Sequence, residues 1–160
     1  MDPTLEEIDH SHYMRQALVQ AQAAFEADEV PVGAVIAYQG RIIAAAHNQC
    51  VALHDATAHA EMLAITQAAE FLGDWRLENC TLYATLEPCV MCAGAIINSR
   101  VPNVVFGALD PKGGAAGSLF NLLDDERLNH RCLISCGVMS EDCGNILTEF
   151  FKRKRMMGKK

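Results

Sequence analysis

A histidine, a carboxylate and two thiols carry the chemistry this chain can do. His59-Ala60-Glu61 is followed, after 26 intervening residues, by Pro88-Cys89-Val90-Met91-Cys92. One imidazole and two thiols make three good zinc ligands, and three protein ligands leave a tetrahedral site one position short, which a water can fill. Glu61 stands two residues from His59, placed to handle that water's protons. An open zinc site beside a general base is a hydrolytic site. H-x-E alone is a weak signal; H-x-E followed at this distance by P-C-x-x-C is a strong one. A redox dithiol is the competing use of C-x-x-C in an α/β chain, but it gives no role to His59 and Glu61. A purely structural zinc needs a fourth ligand, and the only nearby thiol, Cys80, belongs at the opposite end of a strand from Cys89. Cys132, Cys136 and Cys143 read as small buried hydrophobes before they read as a second metal site, and so do Cys50 and Cys80.

These residues need particular elements to hold them. Pro88 suits the start of a helix, where a missing N–H is harmless. Cys89 and Cys92 then stand at i and i+3 with both sulfurs on one face, and free N–H groups with the helix dipole favour thiolates there. His59 and Glu61 open another helix, from near Ala58 to about Phe71, with Met62, Ile65 and Ala69 inward. Positions i and i+2 point about 200° apart on a helix, so these two share a site only if the helix presents its end to the metal. Two helix N-termini converging on one ion is the geometric expectation.

Elsewhere, Ser11 caps a first helix with Met14, Leu18, Ala21 and Phe25 on its apolar face. Val32–Tyr38 and Arg41–Ala46 pair as a hairpin through Gln39-Gly40. Further strands span Thr81–Leu86, Val104–Ala108 and Leu133–Cys136. A last helix runs from about Glu141 to Met157, burying Cys143, Ile146, Leu147 and Phe150, with Met156 and Met157 covering its end. Trp75 reads as an anchor from surface to core. Strands alternating with helices predict an α/β fold: a three-layer α/β/α sandwich around a mixed five-stranded sheet, with one antiparallel pair in the hairpin.

Length and composition bound the rest. The 160 residues suit one domain, with a core of about 11–151 and a basic end at 152–160. With 51% hydrophobic and 21% charged residues the chain is globular. No apolar run reaches membrane-spanning length, so no membrane role is expected. Asp2, Glu6, Glu7 and Asp9 replace the basic start of a secretory signal. Seven cysteines, an odd number, fit reduced thiols and a cytoplasmic location. Charge is uneven: Lys152, Arg153, Lys154, Arg155, Lys159 and Lys160 give the tail +6, while the other 7 basic and all 20 acidic residues leave −13 in the rest. A basic arm for nucleic acid and a solvated helix end both fit that asymmetry.

With these residues in hand, the chain resembles the bacterial tRNA-specific adenosine deaminases, the TadA family, from about Ser11 to Arg155. The resemblance rests on Glu29-Val30-Pro31-Val32-Gly33-Ala34-Val35, Thr57-Ala58-His59-Ala60-Glu61 and Thr85-Leu86-Glu87-Pro88-Cys89-Val90-Met91-Cys92-Ala93-Gly94-Ala95. More discriminating are Val104-Val105-Phe106-Gly107-Ala108, Asp110, Lys112, Gly114-Ala115-Ala116-Gly117-Ser118-Leu119 and Asn129-His130-Arg131, which free-base deaminases seldom share. The resemblance implies a cytidine deaminase-like fold and one zinc per subunit on His59, Cys89 and Cys92, with Glu61 moving protons. It implies that Asn48 hydrogen-bonds a flipped adenine and that Val30, Ala60 and Phe106 belong to the substrate pocket. Asp110 would meet the sugar-phosphate. Lys112, Phe151, Arg153, Lys154 and Arg155 would meet the anticodon arm of a tRNA, on a homodimer. The implied reaction is hydrolysis of adenosine to inosine at the wobble position. A free-base or nucleoside deaminase of guanine or cytosine is the alternative, and a silent zinc-stabilised RNA-binding module a remote one. His47, Gln49 and Leu109 depart from the family's usual tryptophan, arginine and arginine.

Overall fold

Gln39 and Gly40 both have positive φ, 50° and 75°, as a two-residue turn between twisted antiparallel strands requires. They join β1 (Gly33–Tyr38) to β2 (Arg41–His47) in a computed structural model that describes residues 8–158. Asp2, Glu6, Glu7, Lys159 and Lys160 lie outside the described residues. The other elements are α1 (His10–Glu26), α2 (Ala60–Leu72), β3 (Cys80–Leu86), α3 (Val90–Asn98), β4 (Asn103–Ala108), β5 (Leu133–Cys136) and α4 (Ser140–Met156).

The sheet order is β2-β1-β3-β4-β5. β1 is antiparallel to β2 and also to β3, while β3, β4 and β5 run parallel. The hairpin therefore accounts for only one of two antiparallel pairs. The second arises because α2 carries the chain from β2 across β1, so that β3 lands parallel to β2 with β1 between them. Helices α1 and α4 cover one face around Met14, Val35, Tyr83 and Cys143; α2 and α3 cover the other around Ile36, Leu82, Ile96 and Phe106. This is the expected three-layer sandwich. Gly33 lets α1 lie against β1, since a Cβ there would fall 1.9 Å from the Ala17 carbonyl oxygen.

Several local expectations are corrected. Asp9, not Ser11, caps α1, because its carboxylate accepts the N–H groups of Ser11 and His12. The buried stripe of α2 is Ala60, Glu61, Ala64 and Ala68; Met62, Ile65 and Ala69 are only half-buried. Small residues there let the helix sit close on the sheet. In α4, Cys143 and Phe150 are buried, and Ile146 and Leu147 half-buried. Met156 is 81% exposed and Met157 is exposed, so neither covers the helix end. Trp75 lies at the surface with the Arg76 guanidinium 4.5 Å above its ring, not anchored in the core.

Candidate active site

His59 and Cys89 are the N-cap residues of α2 and α3, both in extended backbone. Pro88 consequently lies just outside α3 and Cys92 within its first turn. The two helix ends converge as the spacing demands. His59 Nδ1 lies 3.5 Å from the sulfur of Cys89 and 3.5 Å from that of Cys92. A tetrahedral ion with zinc–sulfur and zinc–nitrogen bonds of usual length separates such ligands by about 3.5–3.6 Å. The three donor atoms form the one metal-binding group of this kind among the described residues. Cys80 sits at the far end of β3, and Cys132 bonds the Val101 carbonyl, so neither contributes a ligand. A closed four-ligand site and a second cysteine site are both ruled out of this arrangement.

Electrostatics favour metal capture. The Cys92 thiol, followed by His59, hydrogen-bonds the Cys89 sulfur and holds its pKa down at about 3, despite burial. The same sulfur–sulfur bond pushes Cys92 up, and the bond to Cys89 raises His59. A resident thiolate facing an imidazole and a second thiol is the donor set that zinc takes.

Glu61 lies in the first turn of α2 and is 4% exposed. Its Oε1 is buried without a hydrogen-bond partner, and burial raises its pKa. An unsatisfied buried carboxylate oxygen beside three metal donors is the signature of a group kept for a reactant.

Asn48, buried just beyond β2, accepts the Ala60 N–H on Oδ1 at 2.8 Å. Because Ala60 can only donate, the amide's Nδ2 is left as a donor. Ala60 is itself fully buried and its N–H is committed to Asn48. Asn48 and Val30 line a cavity of about 250 Å³ with Cys50, Phe150, Phe151 and Lys154. A neighbouring cavity of about 600 Å³ is lined by Val30, Leu109, Asp110, Lys112, Phe151, Lys154 and Arg155.

A family model described as MafB19-like deaminase matches residues 8–155. The chain is 54% identical over 143 residues to a tRNA-specific adenosine deaminase of Bacillus subtilis, covering 89% of each. The chain belongs to the tRNA-specific adenosine deaminase family. Among solved structures, one from studies of A-to-I editing by tRNA:A34 deaminases at the wobble position of transfer RNA is 43% identical, with a TM-score of 0.83. That match covers 86% of this chain and all of the other. A guanine deaminase of Bacillus subtilis is 37% identical over 69% of this chain and 71% of its own, with a TM-score of 0.63.

The anticipated positions of this deaminase differ in their relation to the two cavities. Phe106 is 1% exposed, in the middle of β4, and packs in the core; it lines neither cavity, because its strand is covered on that face. Arg153 points from α4 over the Phe25 ring at 5.5 Å and lines neither cavity. Lys154 is 17% exposed and pairs with Asp28. Arg155, Lys112, Asp110 and Phe151 do border the larger cavity. Leu109 lines it too, where arginine is usual, and His47 sits half-buried at the end of β2 with its pKa lowered by burial.

Sequence reasoning overlooked two carboxylates. Glu29, buried at the loop before β1, accepts the N–H groups of Val51 and Ala52 at 2.9 and 2.8 Å and so fastens the 50–54 turn. Glu87 does the same for the loop after β4. Burial raises the Glu87 carboxyl, but bonds from Ser118 and the loop amides outweigh this and keep it below its ordinary pKa. Glu87 is a lone charge inside a largely apolar stretch, Ala-Thr-Leu-Glu-Pro-Cys, whereas Glu29 follows Asp28 and is the last charge before Val-Pro-Val. The pattern around Glu87 is the readable mark of a buried, hydrogen-bonded carboxylate; Glu29 carries no such mark.

Proposed function

We propose that the chain acts as one deaminase unit that hydrolyses adenosine to inosine at the wobble position of a tRNA anticodon. The observation that carries the reaction is the unpartnered Oε1 of Glu61 at the convergence of His59, Cys89 and Cys92. The substrate class comes from the 54% identical relative and from the tRNA:A34 deaminase structure.

His59, Cys89 and Cys92 would hold zinc, which supplies Lewis acidity to activate water at neutral pH. Glu61 takes a proton from the attacking water as its oxygen bonds to C6 of adenine. It delivers that proton to ring N1, then takes the proton of the new C6 hydroxyl and hands it to the departing amino group, so that C6=O forms as the C6–N bond breaks, one water is consumed and one ammonia is released. The raised pKa of Glu61 suits a group that must both accept and return protons. Asn48, fixed by Ala60, offers Nδ2 to an acceptor on the flipped base. Val30 and Phe151 wall the space beside it. Asp110, Lys112 and Arg155 supply polar contacts around the larger cavity, where the backbone of an anticodon arm fits.

A working homodimer and a cytoplasmic location complete the reading; no helix among the described residues is long and apolar enough to cross a membrane. The test is to incubate the zinc-loaded protein with an adenosine-bearing anticodon stem-loop, and separately with free adenosine, guanine and cytosine. Inosine at the wobble position, detected by mass spectrometry of digested RNA, supports the reading. Ammonia release from guanine with untouched RNA would replace it by the function of the guanine deaminase relative. Light scattering of the same sample gives the oligomeric state.

A further inference from the structure

Glu87 follows β3 directly, two residues before Cys89, and is 1% exposed, yet it is not among the metal donors and lines neither cavity. Four donors from a single loop converge on it. Oε1 accepts the Asp110 N–H at 3.1 Å and the Ser118 hydroxyl; Oε2 accepts the N–H groups of Ala116 and Ser118, each at 3.0 Å. The loop is stitched to the metal side as well, by the Ala115 N–H on the Pro88 carbonyl at 2.8 Å and by a bridge between Gly114 and Cys89. Gly114 has no room for a side chain, since a Cβ there would fall 2.3 Å from the Glu87 carboxylate. The glycine thus makes room for the carboxylate.

We infer that Glu87 is a positioning residue for substrate, acting through Asp110 and the loop 110–118. It closes the loop around an internal anion, so that Asp110 and Lys112 stand fixed at the rim of the larger cavity. This rests on the tRNA reading above, in which that rim meets RNA. The chemistry of the group explains why a carboxylate is needed. A glutamine of equal size keeps one acceptor oxygen and replaces the other with NH2. Its best orientation places oxygen toward Ala116 and Ser118 N–H, and NH2 toward the Ser118 hydroxyl, which can switch to accepting. The Asp110 N–H then faces a donor and loses its partner. Glu87→Gln therefore releases the head of the loop specifically, without altering a metal ligand or Glu61.

The experiment compares the zinc-loaded full chain with Glu87→Gln and Ser118→Ala, the latter removing one hydroxyl bond to Glu87 while leaving the backbone contacts in place. Amide hydrogen exchange, metal content, and KM and kcat on the anticodon stem-loop are measured together. Glu87→Gln should speed exchange at 110–118 while α2 and α3 stay protected and zinc content holds. KM should rise about tenfold with kcat within about twofold, the scale of one backbone hydrogen bond lost from loop ordering. Ser118→Ala should raise KM about threefold and, if Glu87→Gln fails to fold, decides the matter alone. Combined with Asp110→Ala, Glu87→Gln should add little. A fall in kcat at constant KM, or unchanged loop exchange, overturns the inference. Absence of inosine with the parent protein refutes the tRNA reading instead, and hydrogen exchange still judges Glu87.

Discussion

Glu61 is the residue whose surroundings commit it most narrowly. Its Oε1 has no protein partner, and burial keeps its proton affinity high. Glu61→Ala should leave zinc stoichiometry unchanged and lower inosine formation at least about 10²–10⁴-fold, the range of a lost general acid–base. Metal analysis and single-turnover assays together check this, and normal turnover would remove Glu61 from the mechanism. Asn48 has two separable duties. Asn48→Ala orphans the buried Ala60 N–H, which should cost about 1–3 kcal/mol in a denaturant melt, and also removes the donor to the base. Asn48→Asp keeps an acceptor at a helix N-terminus, a favourable place for an anion, but has no donor. It should recover stability while KM stays raised; recovery of KM would mean that Nδ2 does not read the base.

At the scale of elements, the site is the meeting of two helix ends, so metal should couple to their packing. Zinc at about a hundredfold over its dissociation constant stabilises by about 2.7 kcal/mol, which for a chain of this size is a Tm change of roughly 5–10 °C. Chelation should lower Tm by that much, and His59→Ala should abolish the chelator's effect; an unchanged Tm on chelation would show that the ends converge without the ion. The i, i+2 spacing of His59 and Glu61, which within a helix would point the two apart, was enough to read this end-on geometry from the chain, and alternation of strands and helices was enough for the layers. Other features were not legible because local rules compete. Asp9 and Ser11 are both good caps, and only the folded backbone shows which carboxylate or hydroxyl reaches free N–H groups. Along α2 the large residues Met62 and Ile65 draw attention, whereas close approach to the sheet selects Ala60, Ala64 and Ala68. The second antiparallel pair depends on where β3 is inserted, a long-range choice. Covering helices, which no motif encodes, decide how much of Phe106 is exposed, and they leave it 1% exposed.

Across the whole molecule, charge decides how an acidic protein would hold the RNA of the proposed reaction. The +6 of residues 152–160 against −13 elsewhere suggests a uniform basic arm, but the fold divides its members. Lys154 is spent on Asp28 and lies 5.4 Å from the Phe150 ring, while Arg153 covers Phe25. Lys112 and Arg155, far apart in sequence, share the rim of the larger cavity. Counterion release makes the logarithm of affinity fall with that of salt concentration by about 0.7 per phosphate contact to single-stranded RNA. Lys112→Gln and Arg155→Gln should each reduce that slope by about 0.7. Lys154→Gln removes a cation already neutralised inside the protein, so it should weaken binding of the anticodon stem-loop at every salt concentration yet leave the slope unchanged. Truncation before Lys152 removes both kinds of residue and should do both. Fluorescence anisotropy between about 50 and 200 mM salt separates the cases. Equal slope changes for all three substitutions would mean that the Lys154–Asp28 pair opens when RNA binds, so that an internal ion pair is exchanged for one with phosphate.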